Sequence, residues 1–144
     1  MTGQRTGELH PAMIGTPTAV DRERHAVAPS PGLYGATDIG RVRRQNQDAF
    51  GFSADGRILV VADGMGGHDF GDVASSHAVE AVLGCMAEAC GGVVPEAAAD
   101  RGEVLLRAIH CAHEKLVAEV ASDPLRRRMG TTLLVAWLCG DTVH

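Results

Sequence analysis

Arg57-Ile-Leu-Val-Val-Ala-Asp-Gly-Met-Gly-Gly-His68 sets the frame for the whole chain. From Arg57 to Ala62 the run is nearly continuous in apolar residues, the mark of a strand buried on both faces. Asp63 closes that run and opens a glycine-rich turn. A carboxylate there is held by a rigid element, while the glycines keep the space before it open. Hard cations such as Mg²⁺ or Mn²⁺ take oxygen ligands of this kind, including the backbone carbonyls of tight turns. The competing reading is that Asp63 only caps the turn.

Upstream, Asp55-Gly56 is a hairpin signal, and Ala49 to Phe52 reads as the strand before it. Pairing through that turn brings Asp48 and Asp63 to the same end of the hairpin. Two carboxylates brought together repel unless a cation lies between them. Arg43 stands five residues before Asp48, in a polar loop from Gly40 to Asn46. A guanidinium beside a divalent cation suits a phosphate, because its planar donors match two phosphate oxygens. Arg41 and Arg44 are alternatives, and a solvated surface charge is the plainer reading of each. Leu33 to Ile39 is expected to be a further strand.

Downstream, Val79, Leu83, Met86 and Cys90 fall on one helical face, and Gly91-Gly92 and Pro95 end that helix. A second helix is announced by Asp100-Arg-Gly-Glu103, which resembles a capping box. Its expected stripe is Leu105, Ile109, Ala112, Leu116 and Val120. Thr131 to Cys139 reads as a strand, and Gly140-Asp141 as a turn into a returning strand from Thr142 to His144. The chain is thus expected to end inside a hairpin, as a piece truncated at its C-terminus. Residues 1–32 have few large apolar residues, no period and four prolines, and are expected to form a flexible leader to a domain over 33–144.

Composition narrows the class. The chain has 144 residues, 45% of them hydrophobic and 22% charged, as in a soluble globular domain. A net charge of −5 argues against nucleic acid as partner and gives no attraction to an anionic membrane. No stretch reaches the ~20 apolar residues that span a bilayer, and no signal-peptide core stands at the N-terminus. A cytoplasmic location is the default. Cys85, Cys90, Cys111 and Cys139 lack CxxC spacing and are expected to be buried and reduced. His110 and His113 share a helix face without a third ligand nearby, and Arg126-Arg-Arg128 reads as a solvated turn or, less simply, a docking patch.

Five segments now stand in order: Thr37-Asp-Ile-Gly-Arg-Val-Arg43, Asn46-Gln-Asp48, Val61-Ala-Asp-Gly-Met-Gly-Gly-His68, Gly71-Asp-Val-Ala-Ser75 and Met129-Gly-Thr-Thr132. Together they resemble the bacterial branch of the PPM (PP2C-like) metal-dependent Ser/Thr protein phosphatases, over Leu33 to His144. The resemblance implies an α+β fold, part of an αββα sandwich of antiparallel sheets and antiparallel helix pairs. It implies a two-metal centre with Mg²⁺ or Mn²⁺, bridged by Asp63, with the Gly64 carbonyl on one ion and Asp48 in or beside the coordination shell. Arg43 would bind the substrate phosphate, and water activated between the metals would attack phosphorus. Many relatives carry Glu where this chain has Gln47. Where eukaryotic members often place a general-acid His, this chain has Met65; His68 is a candidate proton donor, or else a loop residue orienting Asp69 or backbone. The family's later Asp ligands follow the last motif and are not among these residues, so the chain alone is expected to be inactive or nearly so. The implied partners are phosphoprotein substrates and, through them, a Ser/Thr kinase or its targets, with a monomer expected at full length. The alternative is a non-catalytic phosphoprotein-binding module or pseudophosphatase.

Overall fold

The computed structural model describes residues 25–27, 33–65, 70–90 and 98–144. Its centre is the expected hairpin. β3 (Asp48–Phe52) and β4 (Ile58–Met65) run antiparallel, with Asp48 opposite Asp63 and Phe52 opposite Leu59. The turn is closed by side chains as well as backbone. Gly56 takes φ 71°, which only glycine adopts without strain. The Ser53 hydroxyl accepts from Ile58 N at 2.9 Å, where a strand carbonyl would otherwise accept, and from Arg57 N at 3.1 Å. Asp55 also accepts from Arg57 N. Burial works to raise the Asp55 pKa, but the hydrogen bonds from Ser53 and Arg57 N–H and the Arg57 charge outweigh it and leave the carboxyl below its ordinary value.

One helix covers one face of this hairpin, and a second lies over the first. α1 (Gly71–Cys90) lies on β3 and β4, and α2 (Ala98–Ser122) lies against α1. Ala74, Ala78, Val79, Val82, Leu83 and Met86 of α1 are buried. Gly51 of β3 permits the close approach: a Cβ there would stand 2.7 Å from both Val79 and Leu83. The expected α1 stripe holds at Val79, Leu83 and Met86; the Cys90 side chain lies outside the described residues. In α2 the buried centre is Ala108 and Ala112, with Leu105 and Leu116 packed beside them. Ile109 is a correction, being 42% exposed. Small alanines at the crossing bring the helices close and turn the next position outward. α2 also begins at Ala98, so Asp100 sits in its first turn, where it complements the helix dipole, and does not cap it.

β5 (Gly130–Thr131) pairs the end of β4, β6 (Leu134–Cys139) pairs its beginning, and β7 (Thr142–Val143) pairs β6. β5 and β6 share one register against β4, so the single strand expected over this stretch is interrupted at 132–133 without a slip. Gly140, at φ 60°, makes the expected turn, and His144 exchanges two backbone hydrogen bonds with Trp137. β1 (His25–Val27) and β2 (Gly35–Thr37) form a separate antiparallel pair. The strand expected from Leu33 to Ile39 is thus only Gly35–Thr37, and its partner comes from within the stretch read as leader. The class is α+β, with antiparallel strands and a helix pair, as expected.

One expectation fails on burial. β4 is buried on one face only: Ile58, Val60, Ala62 and Gly64 point to the helices, while Val61 is 52% exposed and Met65 54% exposed. Its apolar run is continuous, but only one covering layer is present among the described residues. The open face carries Phe50, Phe52, Leu59, Val61 and Leu134. The Phe50 and Phe52 rings, 5.6 Å apart, lie over Gly35, where any Cβ would meet Phe50 at 2.4 Å.

Candidate metal centre

The register decides how close the two carboxylates stand. Gly64 N donates to Gln47 O at 2.9 Å, and Ser53 N donates to Ile58 O at 2.9 Å. These bonds make 47/64 and 53/58 the hydrogen-bonded pairs of the ladder. Asp48 and Asp63 therefore form a non-hydrogen-bonded pair, the closer kind, with Cα atoms about 4.5 Å apart in standard geometry. Both side chains are exposed and share the open sheet face. They line one end of a 530 Å³ cavity whose remaining wall includes Phe50, Phe52, Leu59 and Val61.

Each carboxylate is held from behind. Thr37 Oγ1 donates to Asp48 Oδ2 at 3.3 Å, and Asn46 ties the same threonine at 2.9 Å while its Oδ1 accepts from Asp48 N at 3.1 Å. Asp63 is fixed through its backbone. Thr132 N donates to Asp63 O at 2.8 Å, and Asp63 N donates to the Thr132 hydroxyl at 2.9 Å. A side-chain oxygen has taken the place of the Thr132 carbonyl in the ladder, and that carbonyl accepts from Thr131 Oγ1. The Met-Gly-Thr-Thr segment thus positions Asp63 directly, a role its sequence alone did not disclose.

Gly64 lies in the strand and not in a turn, because the β5 register carries β4 through to Met65. It is buried, and a Cβ there would stand 2.0 Å from Gly71 O and 2.6 Å from Gln47 O. Gly71 in turn packs on the Gln47 side chain, where a Cβ would come within 2.7 Å. So Gln47, Gly64 and the start of α1 form one tight junction beneath the acidic pair. Phe70, at φ 72°, leads into it and accepts from Ala74 N at 3.0 Å. Arg126 lies over the Phe70 ring at 5.3 Å and pairs with Glu119 at 2.6 Å; Glu119 also meets His77 of α1. Arg126 is therefore part of a network joining both helices to the junction, a correction to its reading as a solvated charge.

Arg43 is exposed in the segment between β2 and β3, and among the described residues it is not paired with Asp48 or Asp63. His68 lies outside the described residues. His110 and His113 are exposed on α2. Among the described residues no three His, Cys, Asp or Glu side chains converge as a metal site. The acidic pair still fits a hard divalent cation: two exposed carboxylates face each other on adjacent strands, and like charges directly opposite are unfavourable without one.

Residues 40–144 match the family described as protein phosphatase 2C. The chain is 33% identical over 105 residues to the serine/threonine protein phosphatase PstP of Mycobacterium tuberculosis, covering 73% of this chain and 19% of the relative. It is 38% identical over 110 residues to the serine/threonine phosphatase stp of Listeria monocytogenes, covering 74% of this chain and 42% of the relative. Among solved structures, the catalytic domain of PstP in complex with two manganese ions is similar at a TM-score of 0.56 and 30% identity, over 72% of this chain and 41% of that one. The chain therefore spans less than half the length of these relatives, and it belongs to the protein phosphatase 2C family.

Proposed function

We propose that this chain contributes to the hydrolysis of phosphoserine and phosphothreonine in proteins at a divalent-metal centre. The observation that carries the reading is the facing Asp48–Asp63 pair on the open sheet face. Family membership supports the reaction class, and the manganese in the PstP structure supports the metal. Asp63 and Asp48 hold Mg²⁺ or Mn²⁺, with the Gly64 carbonyl as a further ligand. The bound cations supply charge neutralisation at the phosphoryl group and lower the pKa of water. Arg43 binds the substrate phosphate, and His68 gives a proton to the departing serine or threonine oxygen. Thr37, Asn46 and Thr132 hold the carboxylates in place before any substrate arrives.

Two carboxylates shared between two cations leave most coordination positions to water and hold the second ion weakly, so the 144 residues alone are inactive or nearly so in this reading. That same shortage favours a second reading, a module that binds phosphoproteins without cleaving them. Residues 33–144 form the phosphatase part, acting in the cytoplasm on the targets of a Ser/Thr kinase, as a monomer when at full length. Mn²⁺-dependent turnover of a phosphopeptide by the chain tests these points. No turnover, with Mn²⁺ binding that Asp63→Asn abolishes, is the expected result. Robust turnover lost in Asp63→Asn would overturn the inactivity; Mn²⁺ binding unchanged by that substitution would overturn the metal site.

A further inference from the structure

Cys85 and Cys111 come from different helices and lie far from the acidic pair. Cys85 is near the end of α1, Cys111 is in the middle of α2, and they are 26 positions apart in the chain. Their sulfurs are 3.0 Å apart, within thiol hydrogen-bond reach. A disulfide needs about 2.05 Å, so closure asks the sulfurs to move by about 1 Å. The helices already sit close at this level, because Ala108 and Ala112 fill the crossing beside Cys111. Both thiols are half-buried and free, which leaves a path for a small reagent. Burial, and then the contact with Cys111, push the Cys85 thiol up to about 11. Cys85 therefore stays protonated near neutral pH, and the exchange opens at whichever of the two sulfurs sheds its proton first.

We propose that Cys85 and Cys111 form a reversible disulfide that staples α1 to α2 when the chain meets a small-molecule disulfide such as oxidised glutathione. One of the two sulfurs, as its thiolate, attacks one sulfur of the reagent, making a mixed disulfide and releasing one small thiolate. The other protein thiol then loses its proton to solvent, and its sulfur attacks the protein sulfur of the mixed disulfide, releasing the second small thiol. Two protein thiols are oxidised and one small disulfide is reduced to two thiols. The staple joins two elements distant in sequence, so it restricts the unfolded chain and raises stability. It stands whether or not the chain takes part in phosphate hydrolysis.

The test is peptide mapping of the chain after oxidised glutathione treatment and alkylation of the remaining thiols. Trypsin releases Cys111 on residues 108–115, and Cys85 with Cys90 on residues 58–101. The expected product joins these two peptides, forms equally in Cys90→Ser, and is absent in Cys85→Ser. The linked chain is also expected to melt about 10 °C higher, reversibly with dithiothreitol. A link through Cys90 or Cys139, an alkylated Cys111 peptide at full oxidation, or a linked form that melts no higher would each overturn the proposal.

Discussion

Replacing Gly64 with alanine tests the junction beneath the acidic pair. The added methyl would stand 2.0 Å from Gly71 O, 2.5 Å from Gly71 C and 2.6 Å from Gln47 O. All three are backbone atoms, so no side chain can swing away. Ordinary contact needs about 3.4 Å or more, so the start of α1 or the strand end must retreat by over 1 Å. Retreat at α1 drags Gly71 off the Gln47 side chain; retreat of β4 stretches the Gly64–Gln47 bond of 2.9 Å. Overpacking of cores costs about 1–3 kcal/mol, and the rigid backbone on both sides puts this case at about 3 kcal/mol or above. Gly84 is the internal control. It is exposed within α1, and a Cβ there meets nothing within 4 Å. Gly84→Ala should therefore stabilise by about 0.5–1 kcal/mol through helix propensity alone. Urea denaturation followed by fluorescence of Trp137, the sole tryptophan and buried in β6, reads both variants. With a slope of about 1–2 kcal/mol/M, Gly64→Ala should move the midpoint down by about 2 M, and Gly84→Ala slightly up. Equal midpoints for Gly64→Ala and the parent chain would refute the packing argument, and a loss at Gly84 would refute the use of open space as its guide.

The acidic pair should be a net burden without metal: Asp63→Asn is expected to raise the metal-free melting point slightly, by about 0.2–1 kcal/mol of relieved repulsion, while removing the rise that Mn²⁺ gives the parent chain in a thermal melt. Thr132→Val keeps the shape but leaves Asp63 N without its acceptor, so a loss of about 1–3 kcal/mol is expected in the same urea assay, with Thr132→Ser close to the parent. Asp55 sets an acid limit. Its folded pKa lies below the ordinary 3.8, so its contribution is complete above that value and is lost as pH falls through the lower folded value. A pH series of melts should show this extra fall below about pH 4 in the parent chain and a smaller one in Asp55→Asn.

The hairpin and the meeting of Asp48 with Asp63 were legible in the sequence, because Asp55-Gly56 fixes a turn and a fixed turn fixes every pair along the ladder. What escaped was set by partners distant in the chain. The run from Ile58 to Ala62 says apolar, but whether it is covered on one face or two depends on what packs there. Gly64 reads as a turn until Thr131, far away, pairs with it and carries the strand onward. Arg126 reads as solvated because its partners, Phe70, Glu119 and, through Glu119, His77, come from three segments. The Cys85–Cys111 contact needs the crossing angle of two helices, which no spacing within either helix reports. The family motifs named Asp48, Asp63, Gly64, Arg43 and His68 together; the structure sets Asp48 opposite Asp63 on the open face with Gly64 next along the strand, leaves Arg43 unpaired with the carboxylates, and describes no geometry for His68.

β4 carries the apolar core on its even positions and the acidic face on its odd ones. That division makes the strand its own proofreader. A slip of one residue against β3 would turn Asp63 toward the packed start of α1 and expose Val60 and Ala62 to water. Burying an unpaired carboxylate costs several kcal/mol, a large share of what a domain of this size has in total. A misaligned copy therefore cannot persist as a well-folded impostor with a scrambled centre. Mutational drift meets the same constraint: insertions and deletions between residues 53 and 57 would be tolerated only where they keep the parity of the ladder, while a point change at exposed Ala54, whose side chain closes no bond of the turn, should pass more freely.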